Sequence, residues 1–470
     1  MLLKYKKLKT KSSLILLFCL FLTQAFAQDS YRMKMLSNYN NPNLPKVDFT
    51  DIWNDLTGYY DPKTQREYII CGSTDSVYFF DITDPRKMVL VDVESGRSIY
   101  ARNRDFETYK HYAYCVSDQA SGIGGLQIFD LQYLPDSVHK VYESNALGTL
   151  THTIFIDSAV AKMYMSSNIG SFGFSALDVI SLANPEQPVL HTRLKIPLRP
   201  SGNEIFNRVH EMYARNDTVY LSCEQSGLFV FDLRDPNIHA LIGSITAYPD
   251  QGYNHSSWLD KTGKHIMFTD ETMGMDVKIF DIKNLAEPKF LSQFNSNASA
   301  MPHNAYWYGD FAYVSAYHDG VRVYNVSNPS DPYEVAWFDT HPDKPEVYSG
   351  YKGCWGVYPF LPSKHIIASD LTAGIFVFEI DSLLTGNEKE EENSISVKLF
   401  PNPSNDFIQI ILSEPTPFEV KILDLNGKQI AENIYPENDK KIDVSQLASG
   451  LYMIEVLTQK GSAYKKFLKW

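Results

Sequence analysis

Residues Ser226–Pro236 read SGLFVFDLRDP. The run Leu228-Phe229-Val230-Phe231 is apolar without alternation, so a strand made from it is covered on both faces. The stretch has echoes along the chain: DSVYFFDITDP from Asp75, GGLQIFDL from Gly124, SALDVISLANP from Ser175, MDVKIFDIKNL from Met275, DGVRVYNVSNP from Asp319 and AGIFVFEI from Ala373. The positions matching Asp232 recur about every 50 residues, a propeller-blade period. A second strand precedes each echo, as in YIICGS, YAYCVS, KMYMSS, TVYLSC, HIMFTD, FAYVSA and HIIASD. Beyond an Asn/Asp-Pro turn comes an outer strand such as ALIGSI, KFLSQF or YEVAWF, and a further strand opens each unit, as in THTIFID, VHEMYAR, NHSSWLD and PHNAYWY. Four short strands in each of seven units predict an all-β chain built on a seven-bladed β-propeller. Blades packed face to face would cover both sides of Leu228–Phe231.

A ring has to close, yet the seventh unit has no outer strand of its own. After Ile380 the chain runs into an acidic linker, TGNEKEEENS at 385–394. The segment MKMLSNY (Met33–Tyr39) resembles the outer strand KFLSQFN, so residues 31–39 are expected to complete blade seven and tie the ring by main-chain hydrogen bonds.

The first 27 residues read as a signal peptide. Five lysines lead into the apolar stretch Leu14–Leu22 and an Ala25-Phe26-Ala27 cleavage site. That stretch is too short to span a bilayer, and no later one has the length of a transmembrane helix. Losing the five lysines takes the formal charge from −13 to −18, which disfavours nucleic acid and anionic lipid as partners. Cys71, Cys115, Cys223 and Cys354 remain, with no framework spacing; a bridged pair and four buried thiols both fit. The domains expected are a signal peptide at 1–27, the propeller at 28–384, the linker at 385–394 and a small β-sandwich domain at 395–470. In this last domain nine basic residues balance nine acidic ones, FIQIIL, FEVKIL and LYMIEV read as strands, and Asn426-Gly427 is a hairpin turn.

The units FFDITDP, GYNHSSWLD, PHNAYWYGDFAYVSAYHDGVRVYNV and WGVYPF resemble the LVIVD-repeat proteins of the choice-of-anchor B family across residues 31–380. That resemblance implies a secreted propeller and brings no reaction or catalytic residues. The C-terminal region resembles the type A sorting domain of the type IX secretion system. The matching stretches are Leu399-Phe400-Pro401-Asn402-Pro403, Asp424-Leu425-Asn426-Gly427-Lys428, Leu447 to Tyr452 around Gly450, and the basic end with Lys466 and Lys469. Trp470 is an extra residue beyond that pattern. The resemblance implies the type IX machinery as partner, passage across an outer membrane, removal of the domain, and release or attachment at the cell surface.

No nucleophile elbow, phosphate loop or HExxH stands out. One regularity does: His152, His210, His255 and His303 all open the first strand of their units, and Arg104 with Asp105 holds that place in unit two. First strands line a propeller's channel, so their starts converge on one mouth. Antiparallel return brings the end of the second strand to the same mouth, where Asp118, Glu224, Asp270, Glu271, Asp319 and Asp370 stand. Unit seven offers Trp355 at this level, and unit one Trp53. Imidazoles facing carboxylates suit a divalent metal as cofactor, or a polar ligand. A histidine repeated in successive blades fits a structural brace better, since repetition of a role argues for packing and a site needs asymmetry. Two functions follow: a non-catalytic module binding a surface protein or glycan, or a metal-dependent hydrolase or lyase at the channel mouth.

Overall fold

In a computed structural model the described residues are 30–118, 124–171, 173–342, 348–381, 397–400, 404–412, 417–423, 429–435, 440–448, 450–458 and 461–469. The signal peptide, the linker and the sorting-motif residues Pro401, Asn402, Pro403, Asn426 and Gly427 lie outside them.

Leu228–Asp235 is the third strand of a four-stranded antiparallel sheet, between Thr218–Ser222 and Ile238–Ile245, with Glu211–Arg215 innermost. Side chains alternate across a strand, and here both faces are buried. Phe229 and Phe231 pack with Tyr164, Leu177 and Val179 of the preceding sheet. Leu228 and Val230 pack with Ile266, Phe268 and Phe280 of the following one. The missing polar alternation is therefore the imprint of two neighbours.

Six other sheets repeat this plan. Their innermost strands are Trp53–Asp61, Arg104–Tyr109, Ile154–Asp157, Asn254–Leu259, Ala305–Tyr308 and Cys354–Tyr358. Consecutive blades contact through these strands, and blade seven's Cys354–Tyr358 returns to blade one's Trp53–Asp61, closing a seven-bladed ring. Met33–Tyr39 pairs antiparallel with Gly374–Ile380 as the outer strand of blade seven, in register from Met33↔Ile380 to Tyr39↔Ile375. Ser30–Tyr31 adds a fifth strand to blade six through Phe338 and Trp337. One N-terminal ribbon thus holds the two last-formed blades.

All four described cysteines are buried and free, which decides the sequence alternative in favour of thiols packed as small apolar groups.

The chain divides into two units at Asp381/Ser382. The second is a β-sandwich. One sheet holds Val397–Phe400, Phe407–Leu412 and Lys440–Asp443; the other holds Gln429–Tyr435, Phe418–Leu423, Gly450–Thr458 and Gly461–Lys469. Ile408, Ile410, Phe418, Val420, Ile454 and Val456 alternate into its core. Gly450 opens one of the two C-terminal strands, and Lys466 and Lys469 lie in the other.

Phe231 is fully buried between two blades, whereas Ile238 on the outer strand is 62% exposed. Phe231→Ala is expected to cost about 3–5 kcal/mol, and Ile238→Ala about 0.5 kcal/mol, read from denaturant midpoints at constant slope. Equal effects would contradict burial on both faces.

Candidate functional site

The entry to each inner strand is held by its neighbour. The backbone N–H of His210 donates to the Ser222 carbonyl (2.8 Å) and that of His303 to the Ser315 carbonyl (2.8 Å), continuing each ladder one or two residues beyond the strand. The His210 carbonyl accepts from Thr153 and Ser166 hydroxyls of the preceding blade (2.9 and 2.8 Å). The His303 carbonyl accepts from Thr269 (2.6 Å), and the His152 carbonyl from the Asn103 amide (2.7 Å). The backbones of these histidines are braces, and their rings are left free to meet.

They do meet. Ring centroids run His152–His210 4.2 Å, His210–His255 4.2 Å, His255–His303 4.4 Å and His303–Trp355 4.5 Å, an arc around the channel mouth. Nδ1 of His152 lies 2.6 Å from the Asp118 carboxylate. Nδ1 of His303 donates to the Trp355 carbonyl at 2.6 Å. Nδ1 of His210 lies 2.7 Å from the Tyr253 hydroxyl, whose own proton goes to Glu224 at 3.0 Å. Each of these three partners accepts, so each ring carries its proton on Nδ1 and presents a bare Nε2. Two of those bare nitrogens, on His152 and His210, face each other at 2.9 Å. Opposed lone pairs repel at this distance unless a positive charge, a proton or a metal ion, lies with them.

Glu271 completes the arc. Its oxygens lie 3.6 Å from His255 Nε2 and 4.0 Å from His303 Nε2, and Tyr317 donates to it at 2.5 Å. One ligand atom each from His210, His255 and Glu271 falls within 4.8 Å of the other two. A tetrahedral zinc site with roughly 2.1 Å bonds needs separations of about 3.4 Å, within reach of small rotamer changes. Burial pushes the His210 and His255 imidazoles well below their ordinary range, with neighbouring histidines adding to it, and takes His303 down to about 3. Burial also pushes Glu271 up to about 7. Neutral imidazoles beside a carboxyl are a donor set chemically able to hold a divalent cation.

Below the arc the channel widens into a cavity of ≈ 610 Å³. Asp55, Asp105, Glu107 and Glu211 line it, and Trp258, Tyr306, Tyr358 and Phe360 close around it as an aromatic group. Burial raises all four carboxyls, Glu107 to about 8, and the other acids push Glu211 higher still.

Of the residues singled out in the sequence, His152, His210, His255, His303, Asp105, Glu271 and Trp355 line this cavity, and Glu224 is joined to it through Tyr253. Four others stand elsewhere, a correction to the expected convergence. Arg104 is buried and donates to the carbonyls of Ser73, Thr74 and Ser98, clamping blade one to blade two. Asp270 pairs with Lys278 at 2.8 Å, both side chains without exposure. Asp370 accepts from Thr340 and from the Thr372 and Ala373 N–H groups. Asp319 accepts from Ser296, Asn297 and Tyr348. For Asp270 and Asp370 the reason is parity. Ser222 and Ser369 sit opposite Glu211 and Gly356 of their inner strands, so Asp370 matches Cys223, one residue short of Glu224. One step along a strand reverses the side chain's face. Asp270 and Glu271 are adjacent, and only Glu271 reaches the arc. Glu224 and Tyr317 share this inward position with left-handed φ of 55° and 40°. Each exchanges two main-chain bonds with the next blade, to Asn254 and Cys354.

Tyr253, Tyr317, Glu211, Asp55 and Glu107 were not singled out in the sequence. The available signal was charge inside inner strands, as in WNDLTGYYD and RDFETY, where apolar side chains are the norm.

Residues 398–469 match the family model described as "Secretion system C-terminal sorting domain". The C-terminal unit is therefore a type IX sorting domain, the type IX secretion machinery is its partner, and the protein is secreted to the cell surface or extracellular space. No helix among the described residues is long and apolar enough to cross a membrane. No curated protein matches the chain. Among solved structures it is similar to the β-propeller domain of Myceliophteria thermophila Cps50 (Swd1), at 10% identity and a TM-score of 0.49, covering 74% of this chain and 99% of that one.

Between about pH 5 and pH 8 the unfolded chain's carboxyls are ionised, while Glu271 and Glu107 keep their protons in the folded state up to about 7 and about 8. The folded protein then binds more protons than the unfolded, so its stability falls as pH rises across this window. Thermal melts of chelator-treated protein are expected to show that decline, and Glu107→Gln to make it shallower. An unchanged slope would remove Glu107 from the buried set.

Proposed function

We propose that this secreted, surface-directed propeller holds a divalent transition metal at its channel mouth and acts as a metal-dependent hydrolase or lyase on a small ligand admitted to the cavity. The supporting observation is the pair of bare Nε2 atoms of His152 and His210 at 2.9 Å, each ring fixed through Nδ1 by Asp118 or by Tyr253 with Glu224. Hydrogen bonding of the far ring nitrogen is how metal-ligating histidines are oriented. His210, His255 and Glu271 are the ligands, with His152 and His303 flanking them. A metal there supplies Lewis acidity and a water of lowered pKa. Glu211, 3.6 Å from His255 and held protonated by burial, is the carboxyl placed to donate a proton to a leaving group. The resemblance of residues 31–380 to LVIVD-repeat, choice-of-anchor B proteins agrees with a surface location and assigns no chemistry.

Elemental analysis of the purified full-length chain, after incubation with Zn²⁺, Co²⁺ or Mn²⁺ and desalting, is expected to find one equivalent of metal. Co²⁺ is expected to give a visible spectrum of low symmetry. His210→Ala with His255→Ala is expected to lose both while keeping the near-ultraviolet circular dichroism of the parent. Substoichiometric metal in the parent under all three conditions would overturn the proposal.

The second reading, a non-catalytic module binding a surface protein or glycan, has one observation in its favour. Phe49, Ile99 and Tyr100 are 96%, 61% and 54% exposed near Arg102, which lines the cavity and pairs with Asp48. Retention of a glycan or protein by the parent and its loss in Phe49→Ser with Tyr100→Ser, metal content unchanged, would favour this reading.

A further inference from the structure

We propose that the cavity beneath the histidine arc recognises a small organic cation carrying primary amines, which its wall of hydrogen-bond acceptors and its aromatic floor receive together. This deepens the reading above by naming the ligand class, and it rests on the cavity being the site rather than on the metal.

The wall asks for donors. Asp55, Asp105, Glu107 and Glu211 line it with Glu271 above them, while Arg102 is the one Lys or Arg among the lining residues. Arg102 is itself engaged at the mouth by Asp48 and Asp51. Two buried acceptors, Glu211 Oε2 and Asn304 Oδ1, have no hydrogen-bonding partner among the described residues. So does Nδ1 of His255, on a side chain only 3% exposed and 3.6 Å from that Glu211 oxygen. Buried polar atoms without partners cost about 1–3 kcal/mol each, and a ligand bearing N–H groups satisfies several at once.

The acids are too dispersed for one inorganic ion. Among the described residues the His210, His255 and Glu271 trio is the single group whose ligand atoms come within 4.8 Å of one another. The four lower carboxyls are instead spread around the wall of one cavity. Such spacing fits a charge spread over several atoms. The floor points the same way. Trp258 and Phe360 stack at 5.3 Å, and Tyr306 and Tyr358 meet Phe360 edge-on at 5.6 and 5.2 Å. Aromatic faces below acceptors suit alkylammonium groups, and ≈ 610 Å³ lies in the usual range for small-molecule sites.

The test is calorimetric titration of the full-length protein at pH 7 with four probes: spermidine, glucosamine, glucose and glucuronate. The three sugars share a ring and differ in charge; spermidine and glucosamine separate a linear polyamine from an amino sugar. Binding of at least one amine, ten-fold or more tighter than glucose and with no glucuronate binding, is expected. Ionisation of Glu107 on binding should release a proton, so the amine should bind more weakly at pH 6 and its heat should depend on the buffer. Glu107→Gln and Glu211→Gln, each keeping the shape of the neutral acid, are expected to weaken the amine ten-fold or more with the melting temperature retained. Equal affinity for glucose and glucosamine, no binding by either amine, or indifference to both substitutions would overturn the proposal. Running the series on chelator-treated and metal-loaded protein separates the two ideas. Amine binding without metal sustains this inference even if the metal reading fails, and stoichiometric metal without amine binding does the reverse.

Discussion

Everything in the propeller depends on one constraint: a strand apolar on both faces must find two sheets to lie between. Phe229 and Phe231 turn to blade three while Leu228 and Val230 turn to blade five. The same demand, repeated in every blade, leaves no blade a free face, and a linear stack would leave two. Return of Cys354–Tyr358 to Trp53–Asp61 meets that demand. The ribbon Met33–Tyr39 supplies the main-chain bonds at the point of closure, where an exposed strand edge would otherwise invite pairing with another chain.

Closure also creates the site. Seven inner strands begin around one opening, so residues far apart in sequence become ring neighbours. Lys352 and Asp51, or Ser363 and Glu67, touch only because the ring is shut. The chemistry is confined to blades three to seven at the arc, and to blades one, two and four in the acid layer. A channel with sevenfold backbone symmetry thus carries an asymmetric set of side chains.

The architecture was legible because it is periodic. The recurrence of FDITDP-like turns and the doubly apolar strands needed only the two-residue period of β-structure and a fixed unit length. The four histidines were legible for the same reason. The carboxylates were not, since several second strands end in one or two acids and a single step in register decides which face they take. Asp270 and Asp370 fell on the buried inter-blade face, Glu224 and Glu271 on the channel. Asp55 and Glu107 were hidden differently. A strand such as RDFETY reads as half-exposed, and only the closed ring shows that its polar face looks into a cavity instead of solvent.

A repeated histidine had two readings, brace or ligand, and repetition seemed to favour the brace. The structure divides the residue between them. Its carbonyl is the repeated part: Asn103, Thr153 with Ser166, and Thr269 each bond the carbonyl of the next blade's histidine. Its imidazole is the individual part, fixed by Asp118 in one blade, by Tyr253 and Glu224 in another, and by the Trp355 carbonyl in a third. Because the backbone is already anchored, the ring can be turned by a different neighbour in each blade without loosening the barrel of inner strands. Side-chain orientation is then set separately in each blade by the partner of Nδ1. The repeat supplies rigidity, and the departures from it supply the chemistry.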